Sequence, residues 1–260
     1  MTRPASQIYR STLPAVSQQL TAAIARGCSE FSTIPTVFFR GDDIGIPSHE
    51  FAQMIAVFRK HKIPLSLAVV PTWLNTTRLS DLQNLMGNSK TQWYWHQHGY
   101  IHHNFELLGK KQEFGPSRAP QVIHSSLTKG KARLDMLLGP DNQPVFTPPW
   151  NRCSQETLHG LQALNFKAIS RSRGATPHTK ENFPDFQMNV DLHTRKEACP
   201  KQGFEVLLGE IEQGLATGRC GIMLHHQRMN GRAVAFLDIL LQCLKKHPRI
   251  SFVHFGDLLP

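Results

Sequence analysis

The chain has 260 residues, 40% of them hydrophobic and 18% charged, enough to bury a substantial core as one large α/β domain or two small ones without staples. Its 29 Lys and Arg against 19 Asp and Glu give +10 at pH 7, but the basic residues are dispersed and form no recognisable binding module, so nucleic acid is not an expected partner. No run approaches the roughly 18 apolar residues of a membrane span, and five widely spaced cysteines without a CxxC pair predict reduced thiols in a cytoplasmic protein.

Residues 1–33 are expected to be an N-terminal extension packed on the outside of the fold: Gln18 to Arg26 place Leu20, Ala23 and Ile24 on one helical face, and Pro4 and Pro14 break the stretch before it. Arg3 and Arg10 introduce no apolar stretch of the kind a secretory signal needs. A strand is predicted near 34–40, ending at Arg40-Gly-Asp-Asp43. The helix after it starts at Pro47-Ser48, carries Phe51, Met54, Ile55 and Phe58 on one face, and ends in Lys60-His61-Lys62, where positive charge suits the helix dipole.

Further strands are predicted near 63–70, 91–97, 144–148, 166–170, 186–192, 220–226 and 250–255, with helices over 122–138, 154–164, 203–216 and 232–247. Ser154 is the expected N-cap of the 154–164 helix, and Cys153 beside it reads as a small helix-start residue or a reactive thiol. Long polar connections run from Gly109 to Pro120, containing Glu113-Phe-Gly115, and from Arg173 to Pro184. Strands alternating with helices of this length imply βαβ units and a parallel sheet in a single domain over 34–260. An open doubly wound sheet fits almost as well as a barrel, but chemistry at successive strand ends favours the barrel, whose C-terminal face gathers such residues.

Five segments carry that chemistry. Asp42 and Asp43 are adjacent carboxylates at a strand end, costly unless a cation or arginine balances them, although Gly41 to Gly45 is also good turn chemistry. His98 and His102 are four apart, so a helical turn would direct both at one ion; His96 alternates with His98 as a supporting or structural group, and His103 is the competing ligand. Pro148-Pro-Trp-Asn-Arg152 holds the chain rigid after a strand and offers Trp150 to a ligand. His225 and His226 end another strand, where a histidine suits proton transfer, and Asp191 and His193 point the same way and could support a catalytic histidine.

In this order, the blocks Phe39-Arg-Gly-Asp-Asp43, His98-Gly-Tyr-Ile-His-His-Asn104, Lys110-Lys-Gln-Glu-Phe-Gly115, Pro148-Pro-Trp-Asn-Arg152 and Leu224-His-His226 resemble the polysaccharide deacetylase (NodB-homology, carbohydrate esterase family 4-like) superfamily, in a divergent branch. The resemblance covers most of 34–258 and implies a distorted (β/α)7-type barrel with one divalent metal, usually zinc, held by Asp43, His98 and His102. It makes Asp42 the general base and His225 the acid, with His226 as the alternative acid. Arg40, Pro149, Trp150, Asn151 and His226 become expected substrate contacts and Asp191 a supporting group. The implied activity is deacetylation of an N-acetylated carbohydrate or related small amide. The alternative is a barrel that binds carbohydrate or metal without turnover. Ordinary members brace the base with an arginine in the third block, where this chain reads Thr147-Pro-Pro-Trp150; Arg40 or Arg152 is the candidate substitute.

Overall fold

The computed structural model describes residues 4–87 and 89–259; Arg3 and Pro260 lie outside the described residues. The elements run α1 (Val16–Ser29), β1 (Thr36–Ile44), α2 (His49–His61), β2 (Leu65–Val69), α3 (Thr76–Met86), β3 (Trp93–His98), α4 (Pro120–Leu138), β4 (Asn142–Thr147) and α5 (Gln155–Ala163). They continue with β5 (Ala168–Ile169), β6 (Val190–Asp191), α6 (Pro200–Ala216), β7 (Arg219–His225), α7 (Gly231–Lys246), β8 (Ser251–Val253) and α8 (Phe255–Leu258).

Local chemistry sets the helix ends. Ser48, Asn75, Ser154 and Asn230 each accept a backbone N–H with the side chain at the start of α2, α3, α5 and α7, contacts worth about 1 kcal/mol apiece. Helix α3 has no counterpart among the elements predicted from sequence, although Leu79, Leu82 and Met86 form its buried stripe. Polar residues fill its other faces, so the apolar signal is thin. Helix α1 buries Leu20, Ala23, Ile24 and Cys28 against α6 and α7.

Every strand pair is parallel, in the order β5-β4-β3-β2-β1-β7-β6, with β8 on the first half of β1. Residues 184–192 bring the two edges together. Ile169 N–H donates to Pro184, Phe186 N–H to Ile169 and Met188 N–H to Arg171, while Asn189 and Leu192 donate to Gly221 and Met223 of β7. The sheet therefore curls into a distorted barrel, the architecture favoured over the open doubly wound sheet.

Strand alternation sorts side chains between the helical layer and the barrel interior. Val37, Phe39, Trp93, Trp95, Ile222 and Leu224 pack outward with the helices. Phe38, Tyr94, Val145, Ala168, Met188 and Met223 form the inner apolar layer, closed from below by Phe255 of α8. One step further along the same strands the inward residues become Arg40, His96, Thr147 and Ser170, all buried, and then Asp42 and His98. The apolar floor thus passes into a polar layer at the C-terminal ends of the strands.

Candidate functional site

The inward face of β1 positions Arg40 and Asp42 two residues apart. Arg40 is wholly buried and meets Asp42 as a fork: Nε donates to Oδ1 at 2.7 Å and Nη2 to Oδ2 at 2.8 Å. Its remaining donors reach the Ser170 carbonyl and hydroxyl at 3.0 and 2.8 Å and Asn151 Oδ1 at 2.7 Å. This full coordination makes a buried guanidinium tolerable. Burial pushes the Asp42 carboxyl up, but the charges of Arg40, His98 and His225 and the Arg40 hydrogen bonds outweigh it and leave Asp42 below its ordinary value. Arg40 was expected as a substrate contact or as the brace of the base; it has no exposed surface, and its donors are engaged by Asp42, Ser170 and Asn151. Arg152, the other candidate brace, donates to the Lys111 carbonyl at 3.3 Å.

Asp43 turns the opposite way because β1 is distorted there: its φ is 61°, the left-handed region, and the register between β1 and β2 shifts between Gly41 and Ile44. Its Oδ1 lies 3.3 Å from His98 Nε2 and 3.0 Å from His102 Nε2. Ligand atoms of Asp43, His98 and His102 all lie within 4.8 Å of one another, the one such group among the described residues. His98 Nδ1 donates to the Thr147 carbonyl at 2.9 Å, which directs Nε2 at Asp43. Burial lowers the His98 pKa, but the Asp43 hydrogen bond and the charges of Asp42 and Asp43 leave it raised. Burial likewise opposes ionisation of Asp43, yet the two imidazoles hold it well below the carboxylate range. The cluster favours positive charge between its members, and its donor set of two imidazole nitrogens and a carboxylate suits a divalent metal.

The route by which His102 arrives differs from the expected helical turn. Residues 99–105 are irregular, with Gly99 at φ 60° and His102 at φ 56°. Glu113 holds this loop: its buried carboxylate accepts N–H bonds from Tyr100, Ile101 and His102 at 3.1, 2.8 and 3.1 Å. Burial raises the Glu113 pKa against these bonds. A side chain on Gly99 would meet Glu113 Oε2 at 2.3 Å and Pro149 Cγ at 2.6 Å, so only glycine fits between them. The His103 ring packs on Phe105 instead, at 4.9 Å. Glu113 was noted only within its sequence block, since nothing in the sequence ties a loop carboxylate to amides a dozen residues away.

The Pro148-Pro149 segment rigidly presents Trp150 and Asn151, both left-handed with φ of 57° and 60°. Pro149 is buried, whereas the partly exposed Trp150 ring sits 4.7 Å from His102. Trp73, absent from the sequence-based candidates, flanks His102 as well, at 5.5 Å. Asn151 is occupied by Arg40.

On β7, His225 follows the inward alternation of Met223, and its Nε2 lies 3.7 Å from Asp42 Oδ2. His226 points the other way, buried edge-on against Phe51 at 5.6 Å, and burial takes its pKa down to about 4. His226, an expected substrate contact, thus faces away from Asp42, whereas His225 faces it. The Asp191 carboxylate accepts from the N–H groups of His193 and Thr194 and from the Thr194 hydroxyl, so it organises its own turn. His193 then makes the link to the histidine pair, its Nδ1 accepting the His225 N–H at 3.0 Å. His96 is buried, held to Thr147 Oγ1 at 3.0 Å, with its pKa brought to about 3 by burial first. Cys153 is buried too, and its thiol is pushed up to about 12 by desolvation, the state of a packed residue.

The sequence matches no family model and no curated protein. Solved structures are similar nonetheless. One from Mycobacterium smegmatis, described as a polysaccharide deacetylase, aligns over 99% of this chain and 93% of its own with 12% identity and a TM-score of 0.66. A family 4 acetyl xylan esterase from Clostridium thermocellum, in complex with a cobalt ion, aligns over 86% of this chain and 89% of its own with 14% identity and a TM-score of 0.56. A CE4 family pseudoenzyme from Bacillus anthracis aligns over 88% of this chain and 66% of its own, with 10% identity and a TM-score of 0.51. Similarity at such identities carries the architecture alone. The chain has the NodB-like barrel fold of the CE4 polysaccharide deacetylases, in a strongly divergent sequence.

Proposed function

We propose that this protein is a metal-dependent deacetylase that hydrolyses the N-acetyl group of a sugar or related small amide. The observation that carries the reading is the convergence, on one barrel end, of the Asp43, His98 and His102 cluster with the Arg40-braced Asp42 and with His225. Asp43, His98 and His102 would hold one divalent ion, zinc by the nature of the donors. When bound, that ion supplies a Lewis acid that polarises the acyl carbonyl and makes water acidic.

The chain's own groups then divide the proton transfers. Asp42 is kept ionised at neutral pH by Arg40 and can accept the proton of the attacking water. Arg40 also fixes the carboxylate's orientation through both oxygens. The His225 ring, partly exposed, delivers a proton to the departing nitrogen. Trp150, tilted against His102 and partly exposed, offers an apolar face to the sugar ring. A cytoplasmic location is supported by five free thiols.

A barrel that binds without turnover is the second reading, favoured by similarity to the Bacillus anthracis pseudoenzyme. The complete set of ligands, base, brace and acid weighs against it. Acetate release from N-acetyl sugars by zinc-loaded protein tests the difference. The expected result is turnover that falls at least about a hundredfold in Asp42→Asn, with bound metal retained, and loss of metal in His98→Ala/His102→Ala. Metal retained by the double variant, or turnover undiminished in Asp42→Asn, would refute the assignment.

A further inference from the structure

Beside the candidate centre lies a cleft of about 580 Å³, beginning at Trp150 and Asn151 and running between the 110–116 and 172–177 loops. Its charged lining residues are Lys110, Arg152 and Arg173, and no Asp or Glu lines it. None of the three cations pairs with a carboxylate among the described residues: Arg152 donates to the Lys111 carbonyl, and Arg173 Nη1 to Gln213 Oε1 at 3.1 Å. Most of their guanidinium donors stay available. The first turn of α5 opens on the same cleft through Ser154 and Gln155, adding the positive end of a helix.

A volume of this size accommodates a monosaccharide with a substituent, and its wall is shared with the catalytic centre: Asn151 receives Arg40, and Trp150 faces His102. Three basic residues and no carboxylate line one concavity, so its field is positive and favours an entering anion. Guanidinium groups suit that task because they bind phosphoryl or carboxylate oxygens through two parallel N–H bonds.

We infer that the substrate is an anionic acetamido sugar, its phosphoryl or carboxylate group seated by Arg152, Arg173 and Lys110 while the acetamide lies over the Asp43, His98 and His102 cluster. This assignment rests on the deacetylase reading for the position of the acetamide. It separates the substrate from the neutral glycans that the fold alone would suggest.

The test compares zinc-loaded protein with three probes, N-acetylglucosamine, its 6-phosphate and N-acetylmuramic acid, by titration calorimetry and by acetate release. The anionic probes are expected to bind about tenfold or more tighter than the neutral sugar, the preferred anion naming the group. That ratio is expected to fall towards one in Lys110→Gln/Arg152→Gln/Arg173→Gln and to fall only part of the way in Arg152→Lys, which keeps the charge but loses the paired N–H bonds. Equal affinity for neutral and anionic probes would overturn the inference. A ratio that survives in the triple variant would do so too, because it would place the anion elsewhere, on the metal included. Acetate released equally from all three would remove the anionic cleft and keep the deacetylase, whereas tight anion binding with no acetate release would keep the cleft and remove the deacetylase.

Discussion

Replacing Arg40 with Met tests whether the ion pair with Asp42 organises the barrel interior. Met fills similar space, but it leaves the buried Asp42 carboxylate, the Ser170 carbonyl and Asn151 Oδ1 without their donor. Removing one partner of a buried pair costs about 3–5 kcal/mol, against a total stability of about 5–15 kcal/mol for an ordinary domain. With a urea slope of roughly 2–3 kcal/mol/M, the unfolding midpoint of metal-free protein should fall by about 1.5 M. The sign with pH follows from Asp42, whose pKa in the folded wild type is depressed. Its contribution is therefore present above the ordinary carboxylate range and lost as pH falls through the depressed value. In Arg40→Met the opposing effect of burial dominates and Asp42 is destabilising when ionised, so the gap between variant and wild type should narrow on acidification from neutral pH. Arg40→Met/Asp42→Leu should recover much of the loss, since no charge is then stranded. A single variant within about 1 kcal/mol of wild type, or a gap that does not change with pH, would refute the reasoning.

Two further substitutions probe the loop that delivers His102. Glu113→Gln takes an ionic acceptor from three amides; we expect about 1.5–3 kcal/mol of lost stability and about 10–100-fold weaker zinc binding in competition with a chromophoric chelator. Unchanged zinc affinity would leave Glu113 a purely structural part. Gly99→Ala should cost more than Gly109→Ala in thermal unfolding, by about 2 kcal/mol or more. Both positions have positive φ, but nothing lies within 4 Å of a side chain at Gly109. Equal losses would show that strain from φ alone, not the wedge between Glu113 and Pro149, sets the cost.

Most of the architecture was legible in the sequence because the two periodicities are written locally. The apolar run into Asp42, the Ser48 cap and the Phe51, Met54, Ile55 and Phe58 stripe require no knowledge of distant residues. Helix α3 escaped because its buried stripe is only three residues among polar neighbours. Segment 184–192 gives short strands whose meaning lies in joining the edges of the sheet, which no local pattern states.

At the site, the sequence alone determined which chemistry was available: paired carboxylates, a dense histidine segment and a double histidine, each at a strand end. Tertiary structure decided where each group lies. His225 faces Asp42 and His226 faces Phe51 because strand alternation turns neighbours to opposite sides, and only the surrounding barrel defines which side is inside. His102 rather than His103 joins His98 because Glu113 pins an irregular loop in which helical spacing has no force. Arg40 became the brace because the interior of a barrel leaves a buried guanidinium no solvent, so its energy depends on the carboxylate, hydroxyl and amide oxygens that distant strands bring to it.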